Sequence, residues 1–278
     1  MKNTAILLVD CPDRKGIVAA ISDFLYKHNA NILHNDQHQD ADLGLFLSRV
    51  EWDLKDFGLP VADFGAAFQP IAEKFGMRWK FKTSAMRPRL ALMVSQHLHC
   101  LADLLYRHES GELACDIPVI ISNHEDARRL ADFYRIPFEC IPGKAEERQL
   151  AVLKQYRADF VVLARYMQIL SPNFVAQYPQ RIINVHHSFL PAFSGAKPYH
   201  RAFERGVKLI GATSHYVTDV LDDGPIIEQD VVRISHRDQL GDLLEKGRDL
   251  ERTVLSRAVR WHIDHRILVY VKKTVVFD

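Results

Sequence analysis

An asparagine, a histidine and an aspartate stand out in this sequence for the chemistry their groups could do together. Asn184 and His186 lie two residues apart at the end of the apolar run Ile182-Ile183-Asn184-Val185-His186, so a strand, with its period of two, turns both side chains to one side. Asp222 follows in the turn Leu221-Asp222-Asp223-Gly224-Pro225, which can carry a carboxylate back to meet them. An amide donates to a developing oxyanion, an imidazole exchanges a proton near neutral pH, and a carboxylate orients or deprotonates water. Together they suit attack on a carbonyl. Taken singly, each has a structural alternative: Asn184 as a loop cap, His186 as a satisfied strand-end histidine, Asp222 as a turn residue. Ser188 follows the histidines without the G-x-S-x-G turn of a nucleophilic serine, so direct transfer or hydrolysis is favoured over an acyl-enzyme.

The flanking sequence contains the elements needed to position such a trio. Leu90 to Val94, Val119 to Ile121, Phe138 to Ile141, Phe160 to Leu163 and Ile182 to Val185 are short apolar runs separated by helical patterns, which predicts a mainly parallel α/β sheet. Sheets of this kind bind ligands at the carboxyl ends of their strands. Leu209 to Val217, which carries His215, and Val231 to Ile234 read as further strands. Asp238 to Asp264 reads as one long helix with an apolar face of Leu240, Leu243, Leu244, Leu250, Val254, Leu255, Ala258 and Trp261. Arg266 to Phe277 reads as one or two strands available for edge pairing or a subunit contact. The first strand runs into Ser95-Gln96-His97-Leu98-His99-Cys100 without a G-x-G-x-x-G, so a dinucleotide site lacks its main support. Ser95 and His97 are either a polar helix start or a narrowing of an acceptor pocket.

Upstream lies a smaller unit. Thr4 to Val9, a helix from Gly16 to His28, strands at Ile32 to Gln39 and Leu43 to Trp52, a helix from Val61 to Phe75 and a strand from Met77 to Lys82 give the order βαββαβ, a ferredoxin-like arrangement. The polar, Pro-containing stretch Thr83 to Arg89 reads as the linker, so the expected domains are residues 1–83 and 84–278.

Composition narrows the function further. Thirty-six basic residues stand against thirty-five acidic ones without a long single-sign block, so overall charge supports neither a nucleic-acid nor a membrane partner. No apolar stretch approaches bilayer-spanning length and no signal-peptide pattern opens the chain, which makes a cytoplasmic location the expectation. The four cysteines, Cys11, Cys100, Cys115 and Cys140, have no C-x-x-C spacing and read as reduced packing residues. Fourteen histidines raise the question of a metal, but none of their spacings matches a helical zinc motif, and no metal is expected; His187, His200 and His215 read as supports by hydrogen bonding or packing.

The pattern N-V-H-x-S-x-L-P from Asn184, G-x-T-x-H-x-V from Gly211 and D-x-G-x-I-I-x-Q from Asp222 resembles the 10-formyltetrahydrofolate-dependent formyltransferase family, over roughly Arg89 to His236. The resemblance implies a Rossmann-like formyltransferase domain in which Asn184, His186 and Asp222 are catalytic. It also implies that the segment Arg165, Tyr166, Met167, Gln168, Ile169, Leu170 is the loop whose backbone holds the pterin ring. His187, Gly195, His215, Asp219 and Gly224 complete the expected substrate-contact set. Asp10 to Val18 resembles the opening turn of ACT domains, which implies regulation by a small amino acid such as glycine or methionine and, since ACT-like sheets pair edge to edge, a homo-oligomer. The glycine-rich phosphate loop of glycinamide-ribonucleotide formyltransferases is absent. The double His186-His187, Phe189 to Phe193 and the extra N-terminal domain look most like members that pass the formyl group to water. The implied reaction is hydrolysis of 10-formyltetrahydrofolate to tetrahydrofolate and formate, the latter feeding purine biosynthesis, with no cofactor besides the folate substrate. Transfer to an organic amine and a non-catalytic folate or amino-acid sensor are the alternatives.

Overall fold

The computed structural model describes residues 3–193, 195 and 197–277. The chain forms two compact units: one runs to Arg87 and includes Asp264–Tyr270 and the residues from Val275, and the other comprises Pro88–Ile263 and Val271–Thr274.

The first unit has the order β1 (Thr4–Pro12), α1 (Ile17–Lys27), β2 (Asn31–Asp40), β3 (Leu45–Asp53), α2 (Phe64–Phe75) and β4 (Arg78–Thr83), with antiparallel strand order β2-β3-β1-β4. This is the expected ferredoxin-like fold. α1 buries Ile17, Ile21, Phe24 and Leu25, and α2 buries Phe64, Phe68, Ala72 and Phe75, each set spaced as one helical stripe. Both stripes meet Leu7, Val9, Val50 and Trp52 on one face of the sheet. The run Ala5-Ile6-Leu7-Leu8-Val9 does not alternate with polar residues, because its opposite face is covered as well. There Ile6, Leu8 and Leu47 pack with Leu268, Tyr270 and Phe277. The closing segment, which the sequence placed with the second domain, thus belongs mostly to the first unit. Its strands Ile267–Tyr270 and Lys273–Val276 pair with each other and cover a sheet face instead of extending an edge. The buried Arg49 ties it down, donating to the His265 carbonyl at 3.1 Å while pairing with Glu51 at 2.7 Å.

The second unit continues with β5 (Arg89–Val94), α3 (His99–Glu109), β6 (Asp116–Ser122), α4 (Arg128–Phe133), β7 (Phe138–Cys140), α5 (Glu146–Gln155), β8 (Phe160–Ala164), α6 (Pro172–Gln177), β9 (Ile182–His186), α7 (Pro198–Arg205), β10 (Leu209–Tyr216), β11 (Ile226–Arg233) and α8 (Leu240–Ile263). The strand order is β11-β10-β9-β8-β5-β6-β7; β5 to β9 run parallel, and β10 and β11 extend the sheet antiparallel. β11 begins five residues earlier than the sequence suggests, since Ile226 to Asp230 pair with β10 although polar residues interrupt the run. The chain builds outward from β5 through β6 and β7, then crosses back to β8. The carboxyl ends of β5 and β8 therefore flank a topological switch point, where open α/β sheets hold ligands. α8 closes the face over β9, β10 and β11, burying Leu243, Val254, Leu255, Ala258 and Val259.

Candidate active site

A cleft of about 650 Å³ opens at that switch point, lined after β5 by His97 and His99, after β8 by 165–169, and at the end of β9 by 184–187. Leu221 and Asp222 complete its wall, so the trio is brought together. The geometry follows from strand pairing. In the antiparallel β9–β10 register His215 stands directly opposite Asn184, and Asn184 Nδ2 lies 3.2 Å from His215 Nε2. His215 Nδ1 lies 2.9 Å from the Tyr216 carbonyl, which only accepts, so Nδ1 carries the ring proton. Burial holds the His215 pKa below its ordinary value against the opposing pull of that carbonyl. A neutral ring protonated at Nδ1 presents a lone pair at Nε2, which takes one amide proton of Asn184. The amide is thereby fixed with its second N–H still to give.

His186 Nδ1 lies 3.3 Å from Asp222 Oδ2, with both side chains nearly buried. Its Nε2 is buried without a hydrogen-bond partner among the described residues. For Asp222, burial raises the pKa, but the His186 hydrogen bond and charge and the Gly195 N–H outweigh it and hold the carboxyl below its ordinary value. Asp222 Oδ1 stays 3.9 Å from His215 Nε2, beyond hydrogen-bond reach, which leaves acceptor capacity on the carboxylate.

The turn that delivers Asp222 depends on a glycine. Asp222 itself has φ 55°, and a Cβ on Gly224 would sit 1.7 Å from the Tyr216 carbonyl oxygen. Gly224 therefore supports the site by close backbone approach and does not line the cleft; Asp219 is exposed and also lies outside the lining. In the loop after β8, Arg165 and Met167 take left-handed backbone at φ 63° and 61°. Met167 and Ile169 are exposed at the cleft, Leu170 is buried in the core, and Tyr166 is buried with its hydroxyl accepting from Gln149 at 2.7 Å. The loop is closed by Ser171, whose hydroxyl oxygen caps α6 by accepting from Phe174 N at 3.2 Å and whose own N–H donates to Glu146 at 2.8 Å.

Residues 88–259 match the formyl transferase family and residues 5–53 the ACT domain. A formyltetrahydrofolate deformylase of Synechocystis is 58% identical over 280 residues, covering 99% of this chain and 98% of the relative; one of Bacillus subtilis is 51% identical over 98% and 93%. The chain belongs to the formyltetrahydrofolate deformylase family. The crystal structure of a formyltetrahydrofolate deformylase from Pseudomonas syringae superposes with a TM-score of 0.98 at 49% identity, covering 100% of this chain and 95% of that one.

This deformylase-family cleft also holds charged residues that the sequence reading passed over. Glu251 of α8 is 1% exposed; its Oε2 meets His99 Nε2 at 2.7 Å and its Oε1 accepts from Tyr199 at 3.1 Å. Burial raises the Glu251 pKa, and His99 and Arg165 reverse this to hold it ionised. The signal was present: Glu251 falls on the stripe of Gly247, Val254, Leu255 and Ala258, and a carboxylate on an apolar stripe needs a partner. Gly247 serves the same network, since a Cβ there would meet the Tyr199 ring at 2.3 Å. His99, Cys100 and Glu251 bring ligand-type atoms within 4.8 Å of one another, and the Glu251 carboxylate is engaged there by His99 and Tyr199.

Proposed function

We propose that this chain hydrolyses 10-formyltetrahydrofolate to tetrahydrofolate and formate by direct attack of water on the formyl carbon. The observation that carries the reading is the convergence of the Asn184 amide, the His186 imidazole and an ionised Asp222 on one cleft. Asp222 orients the water and draws off its proton. The oxygen–carbon bond forms, and the carbonyl oxygen takes the second N–H of Asn184, an amide already aligned by His215. His186 is the other group facing the reacting atoms, and its unpaired Nε2 is satisfied by the bound substrate. Collapse breaks the carbon–N10 bond, and the proton passes through the coupled His186–Asp222 pair to N10. The backbone of 165–170 holds the pterin between the exposed Met167 and Ile169 side chains.

The protein acts in the cytoplasm without a cofactor, and its formate supplies purine synthesis. The first unit binds a small amino acid, glycine or methionine, and its exposed edge strand β2 pairs with a second copy. The test is formate release with water as the only acceptor. Asp222→Asn, a near-isosteric change, should retain the fold and lose about 10²- to 10⁴-fold in kcat. Turnover within a few-fold of the native rate would remove Asp222 from the reaction.

A further inference from the structure

The Arg165 side chain has no part in the reaction as described, yet its placement is costly. Its left-handed backbone, at φ 63°, costs a non-glycine residue about 1–2 kcal/mol, and it directs the side chain into the cleft that holds the trio. The side chain is 11% exposed, and its Nε lies 3.4 Å from Glu251 Oε2. Neither Nε nor Nη1, both buried, has a hydrogen-bond partner among the described residues. Glu251 is already committed to His99 and Tyr199. Buried N–H groups left unpaired cost about 1–3 kcal/mol, so a site that retains them is shaped for an acceptor that arrives from outside. Burial and the Arg165 charge depress the neighbouring His187 to about 3, so it stays neutral. Its ring lies 5.1 Å from that of His186 and 5.9 Å from that of Tyr199. Among lysine, arginine and acidic side chains, the cleft is lined by Arg165, Lys197 and Arg248 against Asp222 and Glu251, a balance that favours an anion.

We propose that Arg165 forms a carboxylate subsite that takes up formate as it is released, with Nη1 and the adjacent guanidinium N–H donating to the two formate oxygens. This rests on the hydrolysis reading above and adds to it a destination for the product. The site commits to a small monocarboxylate, because a guanidinium edge matches the two oxygens of that group.

The experiment is titration of the full-length protein with carbon-13-labelled formate, read by NMR line broadening in the absence of folate. Native protein and Asp222→Asn should bind formate saturably, whereas Arg165→Gln should weaken binding at least about tenfold and Arg165→Lys, which keeps the charge but not the fork, should weaken it several-fold. Absence of saturable binding to native protein, or equal affinity in Arg165→Gln, overturns the proposal. If Arg165→Gln does not fold, unchanged affinity in Arg165→Lys overturns it. The titration needs no turnover. Arg165-dependent formate binding by a protein that releases no formate from formylfolate therefore contradicts the hydrolysis reading, and hydrolysis without Arg165-dependent binding contradicts the subsite.

Discussion

His187 and His215 are kept neutral by burial, and the pH dependence of stability should record it. Folded His187 takes a proton only near pH 3, while the unfolded chain's imidazole takes one below its ordinary 6.5. Between those values the unfolded state binds more protons, so stability falls as pH falls, by up to about 1.4 kcal/mol per pH unit for each such group. Asp222, whose pKa lies below its ordinary 3.8, keeps its contribution above that value and loses it as pH falls below about 3.8. Urea unfolding of the second unit between pH 6.5 and 5 should show this slope, and His187→Gln should flatten it by one group's share; parallel slopes for native and variant contradict the burial argument. At this scale the trio was legible because Asn184, His186 and Asp222 carry their chemistry in their types and spacing. The role of His215 was less so. Its tautomer is set by the Tyr216 carbonyl and its target by the β9–β10 register, neither of which local sequence displays.

The elements hold these groups by close approaches as much as by apolar burial. Gly224 lets the Asp222 turn lie against β10, and the same contact brings His215 Nδ1 within 3.3 Å of the Gly224 Cβ position. Gly224→Ala must push the turn off the strand, moving Asp222 and loosening the His215–Tyr216 hydrogen bond. The variant should lose about 1–3 kcal/mol in urea unfolding and more than tenfold in kcat while still folding; native stability with native turnover would mean the turn is free to move. Strands and helices were legible wherever apolar spacing was regular, as in β5, β8, β9 and α1. The start of β11 was not, because Glu228, Gln229 and Asp230 are polar and break the apolar run; they pair with β10 through the backbone, and the Gln229 amide also donates to Thr213 across the ladder at 3.0 Å. Glu251 is not legible in the sequence as a site residue, because the apolar face of α8 dominates its pattern and a buried carboxylate is recognised only with its partners His99, Tyr199 and Arg165 in place.

At the scale of the whole molecule, both fold classes were legible, and the family relationship accounts for the full chain. The return of the closing segment to the first unit was not, although Ala5 to Val9 carried its trace: an antiparallel strand that lacks polar alternation has both faces covered. Among the described residues no helix is long and apolar enough to cross a membrane. The central claim is that water attacks the formyl carbon directly, with no enzyme-bound formyl group on the way. Single turnover of 10-formyltetrahydrofolate in oxygen-18 water, with the released formate analysed by mass spectrometry, tests it most directly. One labelled oxygen per formate, and no formylated protein in the same sample, is the result expected; a protein mass raised by a formyl group during turnover, or formate that carries no label, would contradict it.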